Sequence, residues 1–265
     1  MKHLTVLFLL ICIFPIQAFS QTFDHHHTAW NRLLQDHVKM KNDDKVSQVD
    51  YKGFKKDRTG LNAYLSDLSG VSQDTFKSWS RNQQLAFLIN AYNAFTVQLI
   101  VDHYPVPSIR DIKHYFRGPW SIHFISLFGK NVSLDHIEHK MIRKKGVYDE
   151  PRIHMAVVCA SMGCPPLIDE AYMPEKLDAQ LEINVIRFLS DRTRNRYNPE
   201  KNRLELSKIF DWYGDDFERI YGSVQAFIAR YAEHIADDPV HVSQISRKAS
   251  DVSFLDYDWR LNDIH

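Results

Sequence analysis

Residues 81–103 constrain this chain more than any other stretch. Leu85, Leu88, Ile89, Tyr92, Phe95, Thr96, Leu99 and Ile100 recur at helical spacing and make one wide stripe. Ala86, Phe87, Ala91, Ala94 and Val97 fill most of the remainder. A helix that is apolar nearly all round has to be enclosed by its own fold, so the pattern predicts a central, buried helix. Tyr104-Pro105 ends it, because proline cannot continue the ladder. Asn90 and Asn93 stand out on it. They are three apart and share a face, and a buried amide without partners costs about 1–3 kcal/mol. The expectation is that they satisfy loop backbone; the sharper alternative makes one of them the group that orients a catalytic base.

The second constraint is Arg152–Leu167. The apolar run Ile153–Val158 is short, rich in β-branched residues and stopped by Gly163, Pro165 and Pro166. It reads as a buried strand feeding a tight polar turn, a place where a rigid element presents reactive groups. Cys159 is the candidate nucleophile, with the backbone N–H groups after it as an oxyanion hole. His154 is the first candidate base, and Asn90, Asn93 or Glu138 the candidate orienter. On a flat strand this spacing puts His154 and Cys159 on opposite faces. Either a bulge before Cys159 brings them together, or the base is His123 from a neighbouring strand. The competing reading is structural: Cys159 and Cys164 form a disulfide, Gly163 lets the chain double back, and His154 is a satisfied core histidine.

The remaining pattern predicts helices near 29–40, 54–68, 134–144, 174–191 and 222–235, with hairpins over 122–132 and 196–206 and a tail strand at 252–259. Together these predict an α+β fold. Several helices surround the central one and pack on a small, mostly antiparallel sheet that takes in 122–128, 152–158, the 196–206 hairpin and the tail. His25-His26-His27 reads as a frayed, solvated N-terminus. His136 and His139 sit three apart around Glu138, a metal-compatible spacing, but no third ligand is in view and a solvated helix face is expected. Asp211, Asp215 and Asp216, in an aromatic and acidic stretch, would serve a catalytic histidine or a cation; more often such aspartates cap helices.

Residues 1–20 read as a cleaved secretory leader. Lys2 and His3 precede a hydrophobic run, Leu4–Ile16, that is too short to span a bilayer, followed by Ala18-Phe19-Ser20. Ile11 is too bulky for a lipoprotein box at Cys12. The expectations are a secreted or periplasmic location, one domain over 21–265, and no transmembrane segment. Cleavage removes Lys2 alone of 33 basic residues, leaving 32 against 33 acidic ones. That balance, without a basic block, argues against nucleic-acid binding. No cofactor or metal is expected, and the partner is a small-molecule or peptide substrate of unknown identity.

Two sets of residues resemble the family DUF547, a family defined without a known function. The first is the run from Arg81 to Ala94. The second includes Pro151-Arg152-Ile153-His154, Cys159-Ala160-Ser161 and Cys164-Pro165-Pro166, with Ser133-Leu134, Glu138 and Asp211-Trp212-Tyr213 around it. The resemblance covers most of residues 50–235. It departs at Gln83-Gln84, where the family pattern has Glu-Gln. Some members keep the first cysteine without the second, which implies a task for Cys159 that does not need Cys164. Ser161, Arg152, Trp212 and Tyr213 are the candidate substrate-binding residues among these motifs. The function expected is a papain-like or transglutaminase-like cysteine hydrolase or acyltransferase; the alternative is a secreted binding or scaffolding module.

Overall fold

The apolar run at 81–103 forms one uninterrupted helix, and the other elements are laid against it. The structure, a computed structural model, describes residues 22–113 and 116–264; the leader expected at 1–20 lies outside the described residues. In chain order, α1 (Thr28–His37) leads into the hairpin β1 (Val38–Lys41) and β2 (Val46–Val49). Then come α2 (Tyr51–Lys56), α3 (Arg58–Gly70), α4 (Gln73–Ser78) and the long helix α5 (Arg81–His103). The hairpin β3 (Ile125–Leu127) and β4 (Lys130–Val132) precedes a π-helical turn at His136–Ile142 and a 3-10 turn at Pro151–Met155. After α6 (Leu177–Leu189) follow β5 (Arg196–Asn198) and β6 (Arg203–Leu206). The chain closes with α7 (Ile209–Trp212), α8 (Gly214–Tyr221), α9 (Val224–Ala229), α10 (Ala232–Ile235), α11 (Pro239–Ser246) and β7 (Asp251–Phe254).

Helix α5 starts in a capping box. The Ser80 hydroxyl accepts from the Gln83 N–H, and the Gln83 side chain accepts from the Ser80 N–H. A glutamine does this as well as a glutamate, so the departure at Gln83 keeps the cap. By length and composition α5 is apolar enough to cross a membrane, where the sequence reading expected no stretch beyond residues 1–20 to be long and apolar enough. Its apolar window is 89% buried inside the molecule, so the core accounts for that apolarity.

The architecture is α+β, with the strands in separate small sheets rather than one. β1–β2 and β3–β4 are antiparallel pairs; β6 joins β5 antiparallel and β7 parallel. The expected strand at 152–158 is absent. Pro151 opens a 3-10 turn there, and the Glu150 side chain caps the Arg152 N–H at 3.2 Å. The apolar residues are buried as predicted, but side-chain amides supply the hydrogen bonds a sheet would have given. Asn93 donates to the Ala156 carbonyl at 2.9 Å and accepts from the Val158 N–H at 3.0 Å. Asn184 on α6 donates to the Met155 carbonyl. Asn90 does the same for both backbone groups of Tyr172, at 2.8 and 3.0 Å.

Several boundaries also move. The second predicted helix divides at Asp57, the one at 222–235 breaks near Arg230, and the tail strand stops at Phe254. His27 is buried against the Tyr64 hydroxyl at 2.7 Å rather than frayed. One apolar cluster surrounds α5 and takes in Leu177 and Leu181 of α6; a second takes Val185 and Phe188 with the C-terminal helices. Ile153 belongs to the first and Met155 to the second, so the 151–158 segment runs along the seam.

Replacing Asn93 by Ala strands two buried backbone groups. At about 1–3 kcal/mol each, the variant should lose roughly 2–6 kcal/mol in denaturant unfolding followed by circular dichroism. A loss within about 0.5 kcal/mol, the range of a neutral surface change, would contradict this role.

Candidate functional site

A cleft of about 270 Å³ opens at this seam. One wall is the 159–164 turn. Ala160 has φ +58°, a left-handed conformation that is costly for a residue with a Cβ and frequent beside reactive groups. Gly163, the residue expected to permit the reversal, serves close approach instead. A Cβ there would meet the Asp258 nitrogen and the Tyr257 ring at 3.0 Å. The C-terminal tail pins the turn: Met162 N–H donates to the Arg260 carbonyl and Gly163 N–H to that of Asp258. Cys159 and Cys164 are joined as a disulfide, with Cα atoms 6.3 Å apart. The Ser161 and Tyr257 hydroxyls lie 3.1 and 3.2 Å from the Cys159 sulfur.

His154 lines the same cleft and is 2% exposed. Its ring stacks on Tyr213 with centroids 3.9 Å apart. Nε2 lies 2.9 Å from Asp216 Oδ2, and Nδ1 has no partner. Burial lowers the imidazole below its ordinary pKa and outweighs the opposing pull of Asp216. The histidine is therefore neutral, with its proton on Nε2 and a free lone pair on Nδ1. Asp216 behaves in the opposite way. Burial alone would raise it, but hydrogen bonds from His154, Arg143 and Arg219 hold it well below the usual carboxylate range. Arg143 Nε is 2.6 Å from Oδ2 and Arg219 Nη1 2.9 Å from Oδ1.

Glu138 reaches the cleft from the π-helical turn, which is closed by the Arg143 N–H donating to the Glu138 carbonyl at 2.8 Å. The carboxylate is 4% exposed and its Oε1 is unpartnered. The Tyr92 and Tyr213 phenols face it; burial first, and then this carboxylate, raises both above the ordinary phenol range. Trp120, Trp212, Tyr257 and Trp259 make the aromatic wall. Trp259 sits 5.8 Å from Trp120 and 5.6 Å from Trp212 between centroids, and Trp212 is 45% exposed.

The structure thus brings together Cys159, His154, Glu138, Trp212 and Tyr213, with Ser161 touching the sulfurs. His154 and Cys159 meet in one cleft because the chain between them is a 3-10 turn and irregular backbone, so the opposite-faces rule of a strand does not apply. The sulfur's side-chain hydrogen-bond partners are hydroxyls and not an imidazole. Four candidates lie elsewhere. Asn90 and Asn93 hold loop backbone and are not cleft walls. His123 is exposed just before β3 with Nδ1 on the Asn131 carbonyl at 3.1 Å, and it does not line the cleft. Arg152 turns away to Glu150, Asp178 and Glu182 at 2.7–2.9 Å. Asp216, one of three aspartates weighed as partners for a histidine, is the carboxylate bonded to His154; Asn90, Asn93 and Glu138 are not its side-chain hydrogen-bond partners. Tyr257 and Trp259 fall in the predicted tail strand, and their alternating spacing is the one sequence signal that they share a face.

The pH dependence has a definite sign. Below about pH 6.5 the unfolded chain takes up a proton that buried His154 resists, so stability falls as pH drops, by up to about 1.4 kcal/mol per unit. Asp216 adds its loss only below about pH 4, where the unfolded carboxylate protonates first. In ¹⁵N NMR at pH 6 His154 should be the neutral Nε2–H tautomer. A ring titrating at or above its ordinary value would contradict the dominance of burial.

No curated protein and no solved structure matches the chain. Residues 76–189 match the family model described as protein of unknown function, DUF547. That span contains Glu138, His154 and Cys159, while Asp216 and the tail aromatics lie beyond it. The chain therefore carries a DUF547 domain over residues 76–189.

Proposed function

We propose that this chain is a cysteine-dependent hydrolase or acyltransferase, with reduced Cys159 as nucleophile, His154 as base and Asp216 as the group that holds the base. The observation that carries the reading is the bonding of His154: Nε2 is fixed on a locked carboxylate, and Nδ1 is unpartnered in a cleft shared with Cys159. A thiol reductant supplies two electrons and two protons to free both cysteines. His154 Nδ1 then takes the Cys159 proton, and the thiolate adds to an acyl carbonyl. The leaving group departs with that proton and a thioester forms. Water or a second acceptor, deprotonated by His154, attacks the thioester and releases Cys159. The Ser161 and Tyr257 hydroxyls favour the thiolate. The amides of 162–164 are engaged by Arg260, Asp258 and Ser161 carbonyls, so those of Ala160 and Ser161 are the candidates for an oxyanion.

Papain-like or transglutaminase-like chemistry is proposed here on side chains alone. Export by the leader at 1–20 belongs to the same proposal, and a disulfide is the pairing expected in an oxidising compartment. That disulfide also favours a second reading, in which Cys159–Cys164 is structural and the aromatic cleft is the binding site of an exported module.

Alkylation separates the two. After reduction, with Cys164→Ser as control, iodoacetamide should modify Cys159 with an apparent pKa below the free value of about 8.5. His154→Ala should return it toward that value and slow the reaction at pH 7 about tenfold or more. An ordinary pKa that is indifferent to His154 selects the binding module.

A further inference from the structure

The cleft holds a buried acidic side chain that the acyl-transfer chemistry does not use. Glu138 is 4% exposed, and among the described residues no Lys, Arg or His lies within ion-pair distance of it. The cations nearby are committed elsewhere. Arg143 and Arg219 share Asp216, and Arg219 also reaches Asp149 at 3.4 Å. His154 is kept neutral by burial, and His139 Nδ1 is taken by Arg143 at 2.7 Å. Asp135 adds a second carboxylate to the cleft wall, held by the Ser121 hydroxyl and 3.8 Å from His139 Nε2. The phenols of Tyr92 and Tyr213 soften the cost of burying Glu138, but hydroxyls carry no compensating charge. Oε1 stays unpartnered.

The rest of the wall is aromatic. Trp120, Trp212 and Trp259 lie beside this carboxylate's cleft, and the rings already attract one cation: the Arg110 guanidinium sits 5.0 Å over Trp259. Aromatic rings with a nearby carboxylate are the chemistry that recognises an organic ammonium, where a bare metal ion needs several oxygen, nitrogen or sulfur ligands at once. Among the described residues no group of three such side chains is gathered to hold one. A volume of about 270 Å³ suits a small head group.

We infer that the cleft recognises an organic cation, an ammonium or quaternary ammonium group seated against Glu138 and the tryptophan rings. As a statement about substrate, this rests on the acyl-transfer reading and places a positive charge on the acyl donor or acceptor. As a statement about binding, it stands by itself, and the experiment isolates it by keeping the disulfide intact so that Cys159 cannot turn over.

The full chain is titrated with choline and with 3,3-dimethylbutan-1-ol, which has the same shape without the charge. The pair n-butylammonium and butan-1-ol is run in parallel. Tryptophan fluorescence and calorimetry report binding. At least one cation should bind about tenfold or more tighter than its neutral counterpart. Glu138→Gln should remove that preference while leaving the alcohol's affinity unchanged. Trp212→Ala, at a half-exposed position, should weaken the cation severalfold and guards against a misfolded Glu138 variant. Equal affinity for cation and alcohol overturns the inference, as does saturable binding indifferent to both substitutions, or no binding of either cation. A failed alkylation test leaves these outcomes readable, and an active thiolate does not rescue them.

Discussion

Side-chain amides standing in for sheet partners hold this fold together. Beyond the 3-10 turn at Pro151–Met155, the chain to 173 is mostly buried without helix or strand, yet its N–H and C=O groups have to be paired. Asn90 and Asn93 on α5 reach into it and supply both donor and acceptor, and Asn184 on α6 donates to the Met155 carbonyl. Gln180 supplies donor and acceptor for Ala171 and Met173, and Asn195 ties Phe188 to Ser207. Each amide but Asn195 projects from a helix, so the irregular segment inherits helical rigidity. His154 and Cys159 flank the piece that Asn93 and Asn184 grip, which makes the cleft's geometry a consequence of those two side chains.

Burial acts on His154 and Asp216 in the same direction, toward the neutral form, and they respond differently because their neighbours differ. Hydrogen bonds from His154, Arg143 and Arg219 oppose burial at Asp216 and win, while the pull of Asp216 and Glu138 on His154 loses to it. A neutral imidazole fixed on a charged carboxylate is the arrangement a general base needs. Arg143 connects this pair to the other side of the cleft. It binds Asp216, contacts His139 and lies 4.7 Å above the Tyr213 ring. The π-helical turn that carries Glu138 and α8 that carries Asp216 are thereby tied together.

Where one period dominated, the sequence was legible. Helix α5 runs over the predicted 81–103, since its stripe and caps agree. The run at 153–158 misled because β-branched content and flanking Gly and Pro report burial and brevity, which a sheet and an amide-held turn share. The same holds for Asn90 and Asn93: their face and burial were readable, and the backbone they bracket was not. Asp216 was visible only as one acidic residue among three; its pairing with a histidine 62 positions earlier depends on how α8 packs. Trp259 and Tyr257 joined the cleft because β7 pairs with β6 and returns the tail across the Cys159 turn.

By itself the sequence determined a buried central helix, an α+β class and a tight turn at 159–164, because periodicity, proline stops and residue chemistry are local properties. Tertiary structure alone decided that His154 is neutral and held by Asp216, that the two cysteines are joined, and that Glu138 is buried with Oε1 unpartnered in an aromatic cleft. Those outcomes rest on desolvation and on contacts between residues far apart in the chain. No spacing rule encodes either one.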